Sequence, residues 1–271
     1  MIGKFRCFLL DGGSLRVDGG AMFGVVPRML WEKKVGTIRE NCVELQMNSL
    51  LVLGPQHRIL IDPGIGLREA KRFGREYHAR CGENLTDQLR RLGVTPEEID
   101  IVINSHLHWD HSGANLALTP DGSVVPVFPR AVHFVQQGEW EAALHPNELT
   151  KEGYLLQNET ALIRTGQLEL LHGETEIVPG VSVIMTPGHT LFHQSVSIRS
   201  EGETLFYPGD LIPTVAHLPR TFISAFDLEP LRTFETKKIL LQQARREEWT
   251  LAFCHGTEEA SFYRPRAGKR A

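Results

Sequence analysis

The stretch that most constrains this chain is SHLHWDHSG, Ser105–Gly113, which sets three histidines and an aspartate within six positions. It follows directly on IDIVINS, a short apolar run of the kind that forms a buried strand. A strand end holds its backbone rigidly, and the loop beyond it is free to aim side chains. His106 and His108 are two residues apart, so an extended backbone points them to the same side. Asp110 and His111 are adjacent, so a turn can send them to a second site. Imidazole nitrogen and carboxylate oxygen are ligands that zinc and similar metals accept. A polar loop with histidines bonded at the surface would explain one such residue, but it explains four in six positions poorly.

The same arrangement recurs at three distant places. MTPGHT puts His189 after the strand-like VSVIM, LFYPGDL puts Asp210 after another apolar run, and LAFCHG puts His255 at the end of a third. Strand ends on one edge of a sheet assembly can converge, so these residues and the first cluster are expected to form a binuclear centre.

The rest of the chain supplies the strands such a centre needs. KFRCFLL, ending in a Gly turn, ELQMNSLLVLG and HRILIDPGIG read as strands. GENLTDQLRRLGV reads as a short helix with Leu85, Leu89 and Leu92 on one face. TPEEIDIVINSH reads as a capped turn and then a strand, and AVHFVQQGEWEAAL as a strand followed by a helix. Residues 145–165 are expected to contain helix. LELLHGETEIVPGVSVIMTPGHT, HQSVSIRSEGETLFYPGD and TLAFCHG carry further strands. DLEPLRTFETKKILLQQARREEW is the clearest helix, with Asp227 expected as its N-cap. Two packed sheets with helices outside follow from this mixture. At 271 residues the chain is long enough for a full core and reads as one domain, 1–271.

As an ordered set, HLHWDH, TPGHT, YPGD and the late CHG resemble the motifs of the metallo-β-lactamase superfamily, and ILIDPGIG resembles its early strand-end Asp motif. The resemblance runs from about Leu45 to His255 and implies an α+β fold, an αββα sandwich of two mixed sheets packed face to face with helices outside. It implies that His106, His108 and His189 hold one divalent ion, that Asp110, His111 and His255 hold a second, and that Asp210 bridges them. Zinc is the expected metal, with manganese, iron or cobalt as alternatives. Asp62 would steady the ligand loop from behind, a role compatible with a plain Asp-Pro-Gly turn. A hydroxide between the ions would attack a carbonyl or phosphorus, with Asp110 orienting it and carrying a proton to the leaving group.

Within that superfamily the order NSLLVLGPQHRILIDPGIG then SHLHWDHSGAN is similar to the N-acyl homoserine lactonases and their phosphotriesterase-like relatives. The bridging Asp210 departs from the β-lactam-cleaving enzymes. The sixteen residues after His255 leave no room for the helical domain of glyoxalase II-like thioesterases. Neither the inserted domains typical of the RNA-processing nucleases nor an appended flavin domain is expected from the sequence. The expected function is cleavage of lactones or related carboxylic and organophosphorus esters. The alternatives are a thioesterase or a mononuclear iron persulfide dioxygenase, with a non-catalytic metal-binding module a further one. One position departs from the lactonase pattern: Pro213 stands where a substrate-contacting Tyr is expected, with His217, Tyr207 or Tyr154 as replacement candidates.

Met22, Phe23, Met29, Leu30 and Trp31, in AMFGVVPRMLW, either line an apolar substrate pocket, form a homodimer contact or pack as core. Phe222 and Phe226 are further pocket candidates. His133, His145, His172 and His193 fall outside the motif set and read as structural or surface residues.

A net charge of −4 and dispersed basic residues give no reason to expect nucleic-acid or anionic-membrane binding. The basic tail RPRAGKRA reads as a solvated end. No run approaches the roughly 20 apolar residues of a membrane span, and the N-terminus lacks a signal-peptide pattern, so a cytoplasmic location is the expectation. Cys7, Cys42, Cys81 and Cys254 form no CxxC pair and read as buried free thiols.

Overall fold

Apolar runs ending in Gly, Pro or Asp turns become strands throughout the computed structural model, which describes residues 1–36, 38–154, 156–256 and 261–264. The basic tail lies outside the described residues from position 265 onward. The chain divides into two compact units. One comprises Gly3–Ser14 and Met47–Gly173, and the other comprises Leu15–Gln46 and the segment from Glu174 onward.

The first sheet contains β1 (Arg6–Asp18), β2 (Cys42–Leu53), β3 (Arg58–Ile61) and β4 (Ile101–Ile103). A small hairpin follows, β5 (Leu116–Leu118) with β6 (Val124–Pro126), and β7 (Val132–Gln136) and β8 (Leu168–Leu171) complete the sheet. Its order is β1-β2-β3-β4-β7-β8. β3, β4, β7 and β8 run parallel, and β2 is antiparallel to β3. Parallel strands are covered on both faces and therefore read as unbroken apolar runs. Accordingly Ile59, Leu60, Ile61, Val102 and Ile103 are fully buried. Leu60 and Val102 pack with Leu10, Leu51 and Leu89, and Leu85 and Leu92 of the predicted helix face join this cluster. Gly12 and Gly13, expected to form a turn, instead lie inside β1. Ser14 and Arg80 exchange main-chain hydrogen bonds of 3.0 and 2.8 Å, which carries the strand through them.

The second sheet lies in the other unit and contains β9 (Thr175–Val178), β10 (Val181–Met185), β11 (Gln194–Ser200), β12 (Glu203–Tyr207), β13 (Thr250–Ala252) and β14 (Phe262–Tyr263). Their order is β14-β13-β12-β11-β10-β9. β10 and β12 are each antiparallel to β11, and β13 is parallel to β12. Hence β10, β12 and β13 all run in one direction and end at one edge of the sheet. The loops carrying His189, Asp210 and His255 leave from those three ends. The helix Pro230–Arg246 connects β12 to β13 and packs Leu240, Leu241 and Ala244 against Phe206, Trp249 and Phe253.

Candidate metal centre

In the first unit the ligand loop is built on two neighbouring parallel strands. Ile61 of β3 sits opposite Ile103 of β4, so the residues that follow them meet. The Ser105 amide and hydroxyl donate to the two oxygens of Asp62 at 2.7 and 2.6 Å. His111 Nδ1 lies 2.9 Å from the same carboxylate, and Ser105 Oγ lies 3.0 Å from His106 Nδ1. With its own proton given to Asp62, the Ser105 oxygen accepts from His106 Nδ1. The protons of His106 and His111 are thereby fixed on Nδ1, and their Nε2 lone pairs are left for a metal. Asp62 holds a left-handed backbone, φ +46°, which is rare for a residue with a side chain and typical of functional sites.

His106 Nε2 faces His108 Nδ1 at 3.0 Å. The next residues form a short helix, Trp109–Ser112, anchored by the Trp109 amide on the Gly153 carbonyl at 2.9 Å. Trp109 stacks on Phe73 with ring centres 4.3 Å apart. Gly153 is required by close approach, because a Cβ there would lie 2.7 Å from the His108 ring. Behind the loop, buried Glu139 accepts from the Leu107 amide at 3.1 Å and from the Tyr154 hydroxyl at 3.0 Å. The Tyr154 ring lies 5.1 Å from that of His108. Neither Glu139 nor its role was legible from its sequence context, which is that of an ordinary helix.

In the second unit Asp210 is the hub. One of its oxygens, Oδ2, faces His189 Nε2 at 3.3 Å, and the other, Oδ1, faces His255 Nε2 at 3.1 Å. His189 Nδ1 is 2.9 Å from Asp227, which fixes the proton there and leaves the Nε2 lone pair against a carboxylate oxygen. Two acceptors so placed repel unless a proton or a metal ion lies between them. Donors about 2.0–2.1 Å from one tetrahedral ion sit about 3.3 Å apart. The donor types and spacing therefore fit a metal. The Cys254 thiol also donates to Oδ1, at 3.1 Å.

Asp227 was expected to cap the long helix. The helix starts two residues later, with Glu229 at the cap position, and Asp227 serves His189 instead. The turn holding His189 is tied to this segment: the Leu228 and Glu229 amides donate to the His189 and Gly188 carbonyls at 3.1 and 2.9 Å. Gly188 has φ +147°, and a Cβ there would lie 2.3 Å from Thr233 Oγ1. His193 is structural, as expected. Its Nε2 accepts from the Asp210 amide at 3.1 Å, and its Nδ1 lies 2.8 Å from Thr186 Oγ1. The Pro213 carbonyl accepts from the His255 amide at 2.9 Å.

Most of the pocket candidates assemble around Phe23. Its ring stacks on Trp31 at 5.1 Å and on His217 at 4.6 Å, and Phe222 meets it edge-on at 6.1 Å. Met22, Phe23, Trp31, His217 and Phe222 are buried, whereas Phe226 is 42 % exposed. His217 Nε2 donates to the Met22 carbonyl, and its Nδ1 accepts from Thr214 Oγ1. Burial pushes His217 down to about 3, helped by the nearby charge of Lys237. Burial also lowers Lys237, to about 7. In the first unit His133 is pushed to about 3 by burial, with neither ring nitrogen hydrogen-bonded. Of the four cysteines, all free, only Cys254 is fully buried, and Cys7, Cys42 and Cys81 are half-buried.

The metallo-beta-lactamase superfamily model matches residues 43–255. The chain belongs to this superfamily. An N-acyl homoserine lactonase of Bacillus sp. is 35% identical over 119 residues, a match that spans 44% of this chain and only 40% of the relative. A probable metal-dependent hydrolase from Staphylococcus aureus superposes over all of both chains, with a TM-score of 0.87 and 26% identity. AidC, a dizinc quorum-quenching lactonase solved with a product, gives a TM-score of 0.77 at 20% identity over 100% of this chain and 97% of its own. Mixed sheets with helices are thus the α+β fold of the superfamily. Among the described residues no helix is long and apolar enough to cross a membrane.

Proposed function

We propose that the chain is a binuclear metal-dependent lactonase acting on N-acyl homoserine lactones or closely related esters. The observation that carries this reading is Asp210, whose two oxygens face two different histidines at 3.3 and 3.1 Å. A carboxylate that only closed a salt bridge would have no need to divide its oxygens this way. His106, His108 and His189 would hold one ion, and Asp110, His111 and His255 the other. Zinc is favoured by the nitrogen-rich donor set and by the likeness to a dizinc lactonase.

When bound, the ions supply a hydroxide nucleophile at neutral pH and polarise the carbonyl it attacks. The protein's own groups do the rest. Asp62 and Asp227 hold the Nδ1 atoms of His111 and His189 and so turn the Nε2 atoms towards the ions. Asp110, with its side chain 15% exposed, orients the nucleophile and passes a proton to the leaving alkoxide. Attack, ring opening and that proton transfer together convert lactone and water into a hydroxy acid. Pro213 offers no hydroxyl to the substrate carbonyl; its own carbonyl supports His255 instead. Phe226, 42 % exposed, would be the aromatic side chain open to an apolar acyl chain.

The test is metal analysis of the purified protein, followed by a panel of acyl homoserine lactones, simple lactones, aryl esters and a phosphotriester. Two ions per chain with lactone turnover are expected. One ion per chain with sulfur oxidation would favour the persulfide dioxygenase. Two ions with no turnover across the panel would leave a binding module.

A further inference from the structure

We propose that Cys254 is itself a metal ligand, giving the ion held by Asp210 and His255 a sulfur donor that the other ion lacks. The inference rests on the metal reading above and deepens it.

Cys254 lies at the end of the run that leads out of β13, one residue before His255, and its side chain is fully buried. Adjacent residues of an extended strand point to opposite faces. Beyond β13 the backbone turns, however, and both side chains come to the same carboxylate. Sγ lies 3.1 Å from Asp210 Oδ1, the oxygen that also faces His255 Nε2 at 3.1 Å. The candidate donor atoms of Asp210, Cys254 and His255 all lie within 4.8 Å of one another. Oδ1 therefore lies as far from Sγ and from Nε2 as donors that share one ion lie from each other, roughly 3 to 3.5 Å for tetrahedral zinc. The Pro213 carbonyl, 3.8 Å from Sγ, fixes the turn from the other side. The half-buried thiols of Cys7, Cys42 and Cys81 belong to no such trio among the described residues.

The chemistry that follows differs from that of a nitrogen and oxygen site. Binding converts the thiol to thiolate, and its proton leaves to solvent. A thiolate favours zinc, cobalt or ferrous iron over manganese or magnesium. It also adds negative charge, which makes its ion a weaker Lewis acid than the other. The two sites are therefore inequivalent. The site with Cys254 would retain a softer metal ion more firmly, and the other ion would exchange more freely.

The experiment is titration of the metal-free full chain with cobalt(II), followed by absorption spectroscopy and quantitative metal analysis. A near-ultraviolet sulfur-to-cobalt charge-transfer band should appear with one of the two equivalents. The band should be absent in Cys254→Ser and should persist when Cys7, Cys42 and Cys81 are all replaced by Ser. Cys254→Ser should also lower cobalt affinity at one site by about 10- to 100-fold, the scale of a lost supporting group in metal sites. Two bound cobalt ions with no such band in the wild-type chain would overturn the proposal and leave Cys254 a hydrogen-bond donor to Asp210. Loss of the band in the triple variant that keeps Cys254 would also overturn it. Failure to bind cobalt at all would remove the metal reading itself, and the ligand assignment with it. The wild-type spectrum and the triple variant decide the matter even if Cys254→Ser folds poorly.

Discussion

The two units contribute candidate ligands in opposite ways. The first gathers four within six consecutive positions, on a loop and one short helix. The second gathers three from strand ends separated by 21 and 45 residues, at His189, Asp210 and His255. One set is written locally and needs only a strand and a turn. The other exists only after β10, β12 and β13 have aligned. Each set is nonetheless steadied in the same manner, by a buried carboxylate on a histidine Nδ1: Asp62 for His111, Asp227 for His189.

The largest effect should come from removing a ligand. His108→Ala and His189→Ala should each reduce lactone and ester turnover by at least about 100-fold, beyond the usual cost of losing an outer partner. If one activity in the panel survived His108→Ala, that activity would not use the metal centre.

Next come the supporting carboxylates. Asp62→Asn and Asp227→Asn should weaken metal binding by about 10- to 100-fold, read by competition with a chelating dye. Asp62 serves both Ser105 and His111, whereas Asp227 serves His189, so the Asp62 variant should be the weaker binder. Equal losses would mean that the two units are supported alike.

Acid stability gives a third contrast. His133 and His217 are each held near 3 when folded, below the ordinary value of 6.5, so each opposes unfolding fully above about pH 6.5. That contribution is lost as pH falls towards 3, by up to about 1.4 kcal/mol per pH unit for each group. His133→Leu removes a ring with no hydrogen bonds, so acid unfolding should shift to lower pH with little change at neutral pH. His217→Leu also breaks bonds to Met22 and Thr214 and should cost stability at pH 7 as well. Acid titration followed by circular dichroism separates the two.

The smallest effect concerns Lys237, whose ammonium donates to the Phe222 carbonyl at 2.7 Å. Its folded value of about 7 lies below the ordinary 10.5, so stability should rise between pH 7 and 10.5. In denaturant melts Lys237→Met should flatten that rise.

How much of this was legible beforehand follows the same division. The HxHxDH loop, its strand and the Leu85–Leu89–Leu92 helix face are short-range patterns, and each formed where the residues said it would. Glu139 and Asp227 were not legible as supports of the candidate site, nor Lys237 as a buried donor. Glu139 and Lys237 sit in helices and Asp227 in the connection before one, where a charged residue normally faces water. Only the tertiary fold brings Asp227 to a histidine 38 positions away. The Gly12–Gly13 pair misled for a related reason: glycines mark turns unless distant segments bond to them, here Ile65 to Gly12 and Arg80 to the adjoining Ser14.

The strap between the His189 turn and residues 227–229 also bears on how this chain can change. Phe222 and Phe226 occupy the same connection that supplies Asp227 and the amides of Leu228 and Glu229. Insertions or exchanges made there to admit a different substrate would pull on His189, a proposed ligand. Selection for a new substrate is therefore channelled towards side chains elsewhere, or towards paired changes that restore the hold on His189.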